Sequence, residues 1–301
     1  MPDPQCKPGA IHHVEAHTPS HGLDSSKHAG RINKHALYRF PSFSVLGPMS
    51  AHVGGAPVSL GPPQQQAIVA VLLLRSGQRV SVDQLIDAVW GECATATAEK
   101  TVRTYVYRLR QALGRQGDQW RSLITSVSGG YIFSTPAETI DANQFIRQEE
   151  LARRARRAGN LPAVVKHAEH GLDLWHSGPA LSGVPGEFAA RMRLHLQELR
   201  LSSLEMRLSA QLSLGVDNSA TAELSALVAQ HPLDERFRSL FMIALHKDNR
   251  RADALLTYHE AREALRKSLG VDVGQEMKAT YANILNDDAP PYAPSTIRDE
   301  S

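Results

Sequence analysis

The sequence predicts a mainly α protein, with an N-terminal α+β part followed by an all-α part. Its length of 301 residues suggests two domains. Short apolar runs bounded by glycine and proline are confined to residues 40–135, where helical patterns also occur. From Asp141 onward the apolar spacing is helical almost throughout. These observations predict domains at 40–135 and 136–288, and disordered tails at 1–39 and 289–301.

Composition excludes several classes of protein. Hydrophobic residues make up 42% and charged residues 21%, as in ordinary globular proteins. No stretch approaches the roughly 20 apolar residues of a membrane span, and no secretory signal is visible. Two cysteines cannot form a disulfide framework or a four-ligand zinc site. We therefore expect a cytoplasmic protein that has no membrane partner.

The tail at residues 1–39 contains six of the fourteen histidines. A His-rich tract can bind metal, but these histidines are irregularly spaced and lack a carboxylate or cysteine cluster. We therefore expect an unstructured extension and no metal site. Residues 40–135 carry 8 basic and 5 acidic side chains, whereas residues 136–301 carry 20 basic and 23 acidic. This difference in sign suggests different partners for the two parts.

The first part contains strands, three helices and a hairpin, in that order. Short strands are predicted near residues 43–46, 51–53 and 57–60. A first helix follows Pro62 and Pro63, and a second begins with a Ser81–Gln84 capping box. The third helix covers residues 98–113, and a hairpin follows at 122–133 with a Gly129–Gly130 turn. This order predicts a winged helix-turn-helix.

The third helix has one apolar and one basic face. Val102, Val106, Leu109 and Leu113 lie within about 60° of one another at 100° per residue, and form the predicted buried stripe. Cations and hydroxyls occupy the other face, with Glu99 as its one acid. Such groups suit phosphates and base edges in the major groove of DNA. The predicted DNA-binding residues, including two that flank the helix and one in the hairpin, are Lys100, Arg103, Thr104, Tyr107, Arg108, Arg110, Arg115, Arg121 and Tyr131.

These residues are expected to act in two ways. Arg103, Thr104 and Tyr107 are placed in the middle of the face, where we expect contact with base edges. Arg108, Arg110, Arg115 and Arg121 lie at its margins and are expected to meet phosphates. A basic helix face can be merely solvated, but three observations favour DNA binding here: the face is nearly free of acids, a capped helix precedes it and a Gly-Gly hairpin follows it. Tyr131 can equally pack in the core of the hairpin, and this alternative stays open.

The helical part shows an internal repeat. Gly215 and Asn249 are 34 residues apart, which is the tetratricopeptide period. Ala220, Leu224 and Leu227 recur as Ala254, Tyr258 and Ala261. We therefore expect stacked helix pairs that bind protein or self-associate. The arginine run at 153–157 is expected to be a solvated helix face, with phosphate contact as the less favoured alternative.

Several segments resemble one family of bacterial regulators. The residues at 64–74, 81–90, 101–113 and 129–131 are similar to the OmpR-type winged helix of the Streptomyces antibiotic regulatory proteins, the SARPs. Residues 232–237, 251–254 and 269–272 resemble the bacterial transcriptional activator domain that follows it in those proteins. The resemblance covers residues 40–288.

The resemblance implies a transcriptional activator of a secondary-metabolite gene cluster. Its expected partners are double-stranded DNA with a direct-repeat operator, RNA polymerase holoenzyme including the sigma subunit, and a second copy on DNA. Such a protein would be associated with the nucleoid. The alternative is a tetratricopeptide-type adaptor whose winged helix does not bind DNA. The sequence lacks a Gly-x4-Gly-Lys-Ser/Thr phosphate loop and a His-Glu-x2-His zinc motif, so we expect no catalytic residues and no cofactor.

Overall fold

The computed structural model describes residues 40–215 and 220–286. Their contacts divide them into two compact units. One unit consists of 40–43, 49–139 and 183–190, and the other consists of 44–48, 140–182, 191–215 and 220–286. The two predicted tails, at 1–39 and 289–301, lie outside the described residues. The predicted domain limits of 40–135 and 136–288 stay a prediction.

The first unit opens with a small sheet. Strands β1 (Ser42–Ser44), β2 (Ser50–Val53) and β3 (Ala56–Pro57) lie in that order. The β2–β3 connection is a two-residue turn of Gly54 and Gly55, both with positive φ, which glycine adopts without steric cost. The first strand ends earlier than the apolar run at 43–46 predicts, because residues 45 and 46 pack in the second unit.

Three helices follow, as predicted. They are α1 (Pro63–Leu74), α2 (Val82–Trp90) and α3 (Ala98–Gly114). The capping box of α2 is present in both directions: the Gln84 amide N–H donates to Ser81 Oγ at 3.1 Å, and Gln84 Oε1 accepts from the Ser81 amide at 2.9 Å. These bonds satisfy two donors that have no partner within the helix.

The wing is a three-stranded antiparallel sheet with the order β4-β6-β5. Its hairpin consists of β5 (Ile124–Val127) and β6 (Gly130–Phe133), and its third strand is β4 (Arg79–Ser81). The sequence predicted the hairpin but not β4. A Cβ atom on Gly130 would lie 2.2 Å from the carbonyl oxygen of Val80, so the close approach of β4 to β6 requires glycine there.

Apolar side chains from β1, β2, the three helices and the wing form the core of the first unit. Phe43 and Phe133 meet edge to face with ring centroids 5.4 Å apart, and both are almost fully buried. Burying one such aromatic or aliphatic side chain stabilises the folded state by about 1.5–3 kcal/mol. The other large, almost fully buried side chains of this core include Ile68, Leu72, Leu73, Leu85, Leu109 and Leu113.

The described residues after 140 form seven helices and no named strand. The helices are α4 (Asp141–Arg157), α5 (Leu161–Leu172), α6 (Glu187–Leu214), α7 (Ala220–Gln230), α8 (Glu235–Lys247), α9 (Arg251–Leu269) and α10 (Gln275–Leu285). Gly159, Gly215, Asn249 and Gly270 follow the ends of α4, α6, α8 and α9 within two residues. Within the described ranges, no helix combines the length and apolar character that crossing a membrane requires. The mainly α fold class is confirmed.

The repeated positions of the helical part are all buried. Ala220, Leu224 and Leu227 belong to one apolar cluster with residues of α6 and α8. Ala254, Tyr258 and Ala261 belong to a second cluster that includes Met242 of α8 and Met277 of α10. Equivalent positions therefore face the core in both helix pairs, as stacked repeats require.

Residues 44–48 are bound into the second unit by backbone hydrogen bonds. The Asp141 carboxylate accepts from the amide N–H groups of Val45 and Leu46 at 2.9–3.2 Å, and from Ala142 at 2.7 Å. The carbonyl oxygens of Val45 and Gly47 accept hydrogen bonds from the amide N–H groups of residues 181 and 182, respectively. Burial raises the pKa of the Asp141 carboxyl above its ordinary value, although the three amides act in the opposite direction.

Candidate nucleic-acid interface

Helix α3 is fixed by its apolar face. Val102, Val106, Leu109 and Leu113 are almost fully buried, as the helical spacing predicts, and α3 packs against α1 and α2. The remaining side chains of α3 are thereby presented on the other face of a well-anchored helix. This arrangement leaves the polar face available to a ligand without loss of core packing.

The exposed face of α3 contains four of the predicted residues. Lys100, Arg103, Tyr107 and Arg108 are all exposed, and Tyr107 retains 61% of its accessible surface. Thr104 lies between them, half-buried, and its hydroxyl donates to the Lys100 carbonyl at 2.9 Å. We refer to Lys100, Arg103, Thr104, Tyr107 and Arg108 as the α3 polar face. It presents positive charge together with an aromatic ring and a hydroxyl group.

One acid lies beside this face. Glu99 accepts from Arg103 Nη2 at 2.5 Å, one helical turn away, and both side chains are largely exposed. An exposed pair of this type stabilises a helix by about 0.3–0.5 kcal/mol. Arg103 can therefore exchange Glu99 for a base edge or a phosphate at small cost.

Arg110 is placed differently from the exposed cations. It is half-buried, and its Nε and Nη2 donate to the Ile124 carbonyl at 3.0 and 2.7 Å. Nη2 also donates to Ser126 Oγ at 2.9 Å. The helix angle predicted a phosphate contact for this residue. In the structure its guanidinium joins α3 to β5 and uses three of its five N–H donors there, so this half-buried cation is less accessible to a phosphate than the exposed cations are.

The edge position of β5 explains why Arg110 binds there. The Leu123 carbonyl accepts from the amide of Ser134, across the hairpin. Since successive carbonyls of a strand point to opposite sides, the Ile124 carbonyl faces the open edge of the sheet. Arg110 supplies the donor that no neighbouring strand provides to this carbonyl.

Tyr131 lies inside the hairpin. It is 8% exposed, and the Arg110 guanidinium carbon lies 5.7 Å from the centre of its ring. Of the two roles left open by the sequence, this burial favours core packing over a contact with DNA. A cation over the face of an aromatic ring also stabilises the hairpin.

Arg115 and Arg121 are exposed near the end of α3, as expected for phosphate contacts. Arg121 Nε lies 3.3 Å from Asp118 Oδ1. A Cβ atom on Gly114 would lie 2.2 Å from Arg121 Nε, so glycine at this position allows the arginine to cross the last turn of the helix.

The sequence did not point to Arg79. This exposed residue of β4 donates from Nε and Nη2 to the Ser128 carbonyl at 3.1 and 2.7 Å. It was missed because β4 itself was not predicted, and an isolated arginine before a capping serine carries no pattern. The polar-apolar-polar alternation of Arg79, Val80 and Ser81 is too short to predict a strand from the sequence.

The arginine run in α4 has acidic partners. Arg153 lies 2.7 Å from Glu149, Arg154 pairs with Glu150, and Arg156 lies 3.5 Å from Glu205. Glu149 is 4% exposed, and its burial raises the pKa of the carboxyl, while Arg153 lowers it. These contacts balance the charge of three of the four arginines in the run, and they support the expectation of an ordinary helix face.

No group of three or more His, Cys, Asp or Glu side chains that could hold a metal ion occurs in the part of the chain that the structure describes. The candidate site therefore consists of the α3 polar face, the flanking Arg115 and Arg121, and the wing. Its chemistry is that of hydrogen-bond donors and positive charge on an exposed helix.

Two family models match the chain. The model described as "Transcriptional regulatory protein, C terminal" matches residues 55–133, and the model described as "Bacterial transcriptional activator domain" matches residues 140–285. The Regulatory protein DnrI of Streptomyces peucetius is 32% identical over 251 residues, which cover 81% of this chain and 92% of DnrI. The Transcriptional regulator RedD of Streptomyces coelicolor is 31% identical, with coverage of 87% and 76%. The chain belongs to the SARP family.

Other relatives are longer proteins, and this SARP matches only part of their length. It is 41% identical to the Regulatory protein AfsR of Streptomyces coelicolor over 249 residues, which cover 82% of this chain and 24% of AfsR. The chain thus spans about a quarter of the length of AfsR. The solved structure "Mycobacterium tuberculosis EmbR in complex with low affinity phosphopeptide" superposes with a TM-score of 0.78 at 29% identity, over 82% of this chain and 65% of that one. AfsR, RedD and DnrI are named as regulators, which agrees with the expectation that this SARP is not an enzyme.

Proposed function

We propose that this SARP binds double-stranded DNA through α3 and activates transcription of a secondary-metabolite gene cluster. The observation that carries the proposal is the α3 polar face, which presents three exposed cations and Tyr107 on a helix anchored by its opposite face. An α-helix fits the major groove of B-DNA, where such side chains meet phosphates and base edges. The name of RedD as a transcriptional regulator, and that of DnrI as a regulatory protein, support a role in regulating transcription.

Within the α3 polar face we assign two roles. Arg103, Thr104 and Tyr107 are proposed to contact base edges, because they occupy the middle of the face. Lys100 and Arg108, together with the flanking Arg115 and Arg121, are proposed to contact phosphates. Phosphate contacts position a protein on the duplex, whereas base contacts give it sequence preference.

The proposed operator is a direct repeat that binds two copies. One recognition helix reads a short half-site, so useful specificity requires two copies on the DNA. The SARP family's mode of binding supports a head-to-tail arrangement, in which the half-sites lie a whole number of helical turns apart. Inserting half a turn of DNA between the repeats is expected to abolish cooperative binding, and unchanged affinity would show that the copies act independently.

The proposed route to activation is recruitment of RNA polymerase holoenzyme, with its sigma subunit among the contacts. The candidate contact surface is the Cys93–Thr97 loop between α2 and α3, or the segment from Gly77 to Ser81, whose last three residues form β4. Such a protein works at the nucleoid in the cytoplasm. A purified transcription assay tests this step, because an operator-bound protein that left polymerase recruitment unchanged would fit a repressor better.

Footprinting on the promoters beside the chain's own gene tests the whole proposal. Protection of a repeated sequence supports it. The competing proposal is an adaptor of the tetratricopeptide type, which the buried repeat positions of α7 and α9 favour. Full-length protein that is folded but protects no promoter sequence, and that binds random duplex DNA no better than a neutral protein does, would favour the adaptor.

A further inference from the structure

The wing hairpin has no basic residue of its own. Residues 122–133 contain neither lysine nor arginine. A wing that approaches the DNA backbone next to α3 needs positive charge, because phosphate contacts supply much of the affinity of such interfaces. The hairpin strands cannot provide that charge.

Arg79 brings a cation to the turn of this hairpin from the neighbouring strand. Two of its N–H groups bind the Ser128 carbonyl, at 3.1 and 2.7 Å. The turn approaches closely, since a Cβ atom on Gly129 would lie 3.2 Å from Arg79 Nη2. The guanidinium therefore lies beside residues 128 and 129, at the tip of the wing.

The bonds to Ser128 fix the guanidinium and leave its charge in place. A carbonyl is neutral, so it does not cancel the positive charge as a carboxylate would. Arginine has five N–H donors, of which these two bonds use two. Holding a long side chain in one rotamer before binding reduces the entropy lost when a ligand is bound. An exposed, oriented and charged guanidinium is well suited to one phosphate oxygen.

The hairpin is also tied to the recognition helix. Arg110 of α3 donates to Ile124 and Ser126 of β5. The wing tip with Arg79 and the α3 polar face are consequently parts of one hydrogen-bonded unit. A duplex bound to α3 is thus presented to a wing of fixed position.

We propose that Arg79 is the phosphate-contacting cation of the wing, and that it acts from β4 rather than from the hairpin. This inference rests on the proposed function, because it assumes that α3 binds DNA. It also separates the two arginines that touch the hairpin. Arg110 positions the hairpin on α3, while Arg79 contacts the DNA backbone.

The test compares Arg79→Gln with Arg79→Lys in the full chain. Binding to a random-sequence duplex is measured by fluorescence anisotropy between about 50 and 200 mM salt. The slope of log affinity against log salt is negative, and each lost phosphate contact reduces its magnitude by about 0.9. Arg79→Gln is expected to reduce this magnitude by about one unit, and Arg79→Lys is expected to keep it. Thermal melting of both variants verifies that the fold is intact.

Arg154→Gln in α4 is the matched control. It removes one exposed cation that pairs with Glu150, and is expected to leave the salt slope unchanged. A wild-type slope in Arg79→Gln would overturn the inference. An equal loss of slope in both Arg79 variants would assign the effect to the hydrogen bond on Ser128, and would also overturn it. Wild-type protein that bound no duplex would instead contradict the proposed function.

Discussion

Helices α3 and α4 both carry several arginines, but they use them differently. In α4, Glu149 and Glu150 each precede an arginine by one helical turn, and Glu205 of α6 reaches a third. In α3, Glu99 is the one acid in the sequence of the helix, and it pairs with Arg103 in an exposed position. These two arginine-rich helices therefore differ in how much of their positive charge is balanced locally.

The comparison teaches that an arginine count does not identify a nucleic-acid surface. The acids one turn away decide whether a guanidinium is balanced, and nearby carbonyl groups decide whether it is free to move. Arg110 illustrates the second point, because its guanidinium is hydrogen-bonded to the Ile124 carbonyl at the open edge of β5. The following predictions test whether this difference between α3 and α4 determines which arginines bind DNA.

The largest expected effect on binding is that of Arg103→Ala. Loss of a base contact is expected to weaken binding to the operator by about 1–3 kcal/mol and to relax the preference at one base pair. The loss of the exposed Glu99 pair contributes little. Binding to operator and scrambled DNA, measured side by side, provides the test.

Val106→Ala is the matched control in the same helix. It opens the core under α3 and is expected to lower the free energy of unfolding by about 1–2 kcal/mol, with no change in base preference. If Arg103→Ala weakened both DNAs equally while Arg115→Ala altered base preference, the assigned face of α3 would be rotated.

Arg153→Ala in α4 is expected to act on stability. The buried Glu149 carboxylate loses its cation, so the free energy of unfolding should fall by about 1–2 kcal/mol at pH 7, a value that allows for the partial exposure of Arg153. The pKa of Glu149 then lies further above its unfolded value, and the folded state binds the proton more tightly. The deficit should shrink as the pH falls through this raised pKa, as chemical denaturation at several pH values will show.

The double variant Arg153→Ala/Glu149→Gln is the control for that interpretation. A neutral amide removes the buried charge, so most of the pH dependence of the deficit should disappear. A loss of DNA affinity in Arg153→Ala, at unchanged stability, would contradict the assignment of α4 as a structural helix.

Arg115→Ala should weaken binding to operator and scrambled DNA alike. The expected change is a decrease of about one unit in the salt slope, because one phosphate contact is lost. Arg121→Ala should behave in the same way, with a smaller effect, since Asp118 already balances part of its charge. Sequence preference that changed in either variant would argue for a base contact instead.

The smallest effect is expected for Arg154→Ala. Its pair with Glu150 is exposed, so both the free energy of unfolding and the affinity for DNA should change by less than about 0.5 kcal/mol. A tenfold loss of DNA affinity would break the comparison between the two helices, because it would place α4 at the interface.

Most of the fold could be predicted from the spacing of apolar residues and from the residues that begin and end helices. The stripe from Val102 to Leu113 and the capping box at Ser81 are local patterns, and both are present in the structure. Strand β4 could not be predicted, because its three residues are specified by pairing with β6, which lies about 50 residues later in the chain. The separation of residues 45 and 46 from β1 likewise depends on Asp141, a distant partner.

The candidate site was predicted less completely than the fold. Helix angles correctly identified Lys100, Arg103, Tyr107 and Arg108 as exposed. They could not reveal that a strand edge would bind Arg110, nor that Arg79 would reach the turn of the wing. Both facts depend on tertiary neighbours. Their roles in DNA binding stay predictions for the experiments above.

Because the chain is synthesised from its N-terminus, the hydrogen bonds of residues 44–48 affect when the helical unit can finish folding. The amides of Val45 and Leu46 leave the ribosome about 95 residues before the Asp141 carboxylate that accepts them. The amides of residues 181 and 182, which donate to Val45 and Gly47, are made later still. The helical unit thus needs a segment from far upstream before its backbone bonds are complete, and closing such a long loop slows folding. A polypeptide that began after residue 48 would present Asp141 as a buried acid without two of its three donors, whatever the quality of its helices.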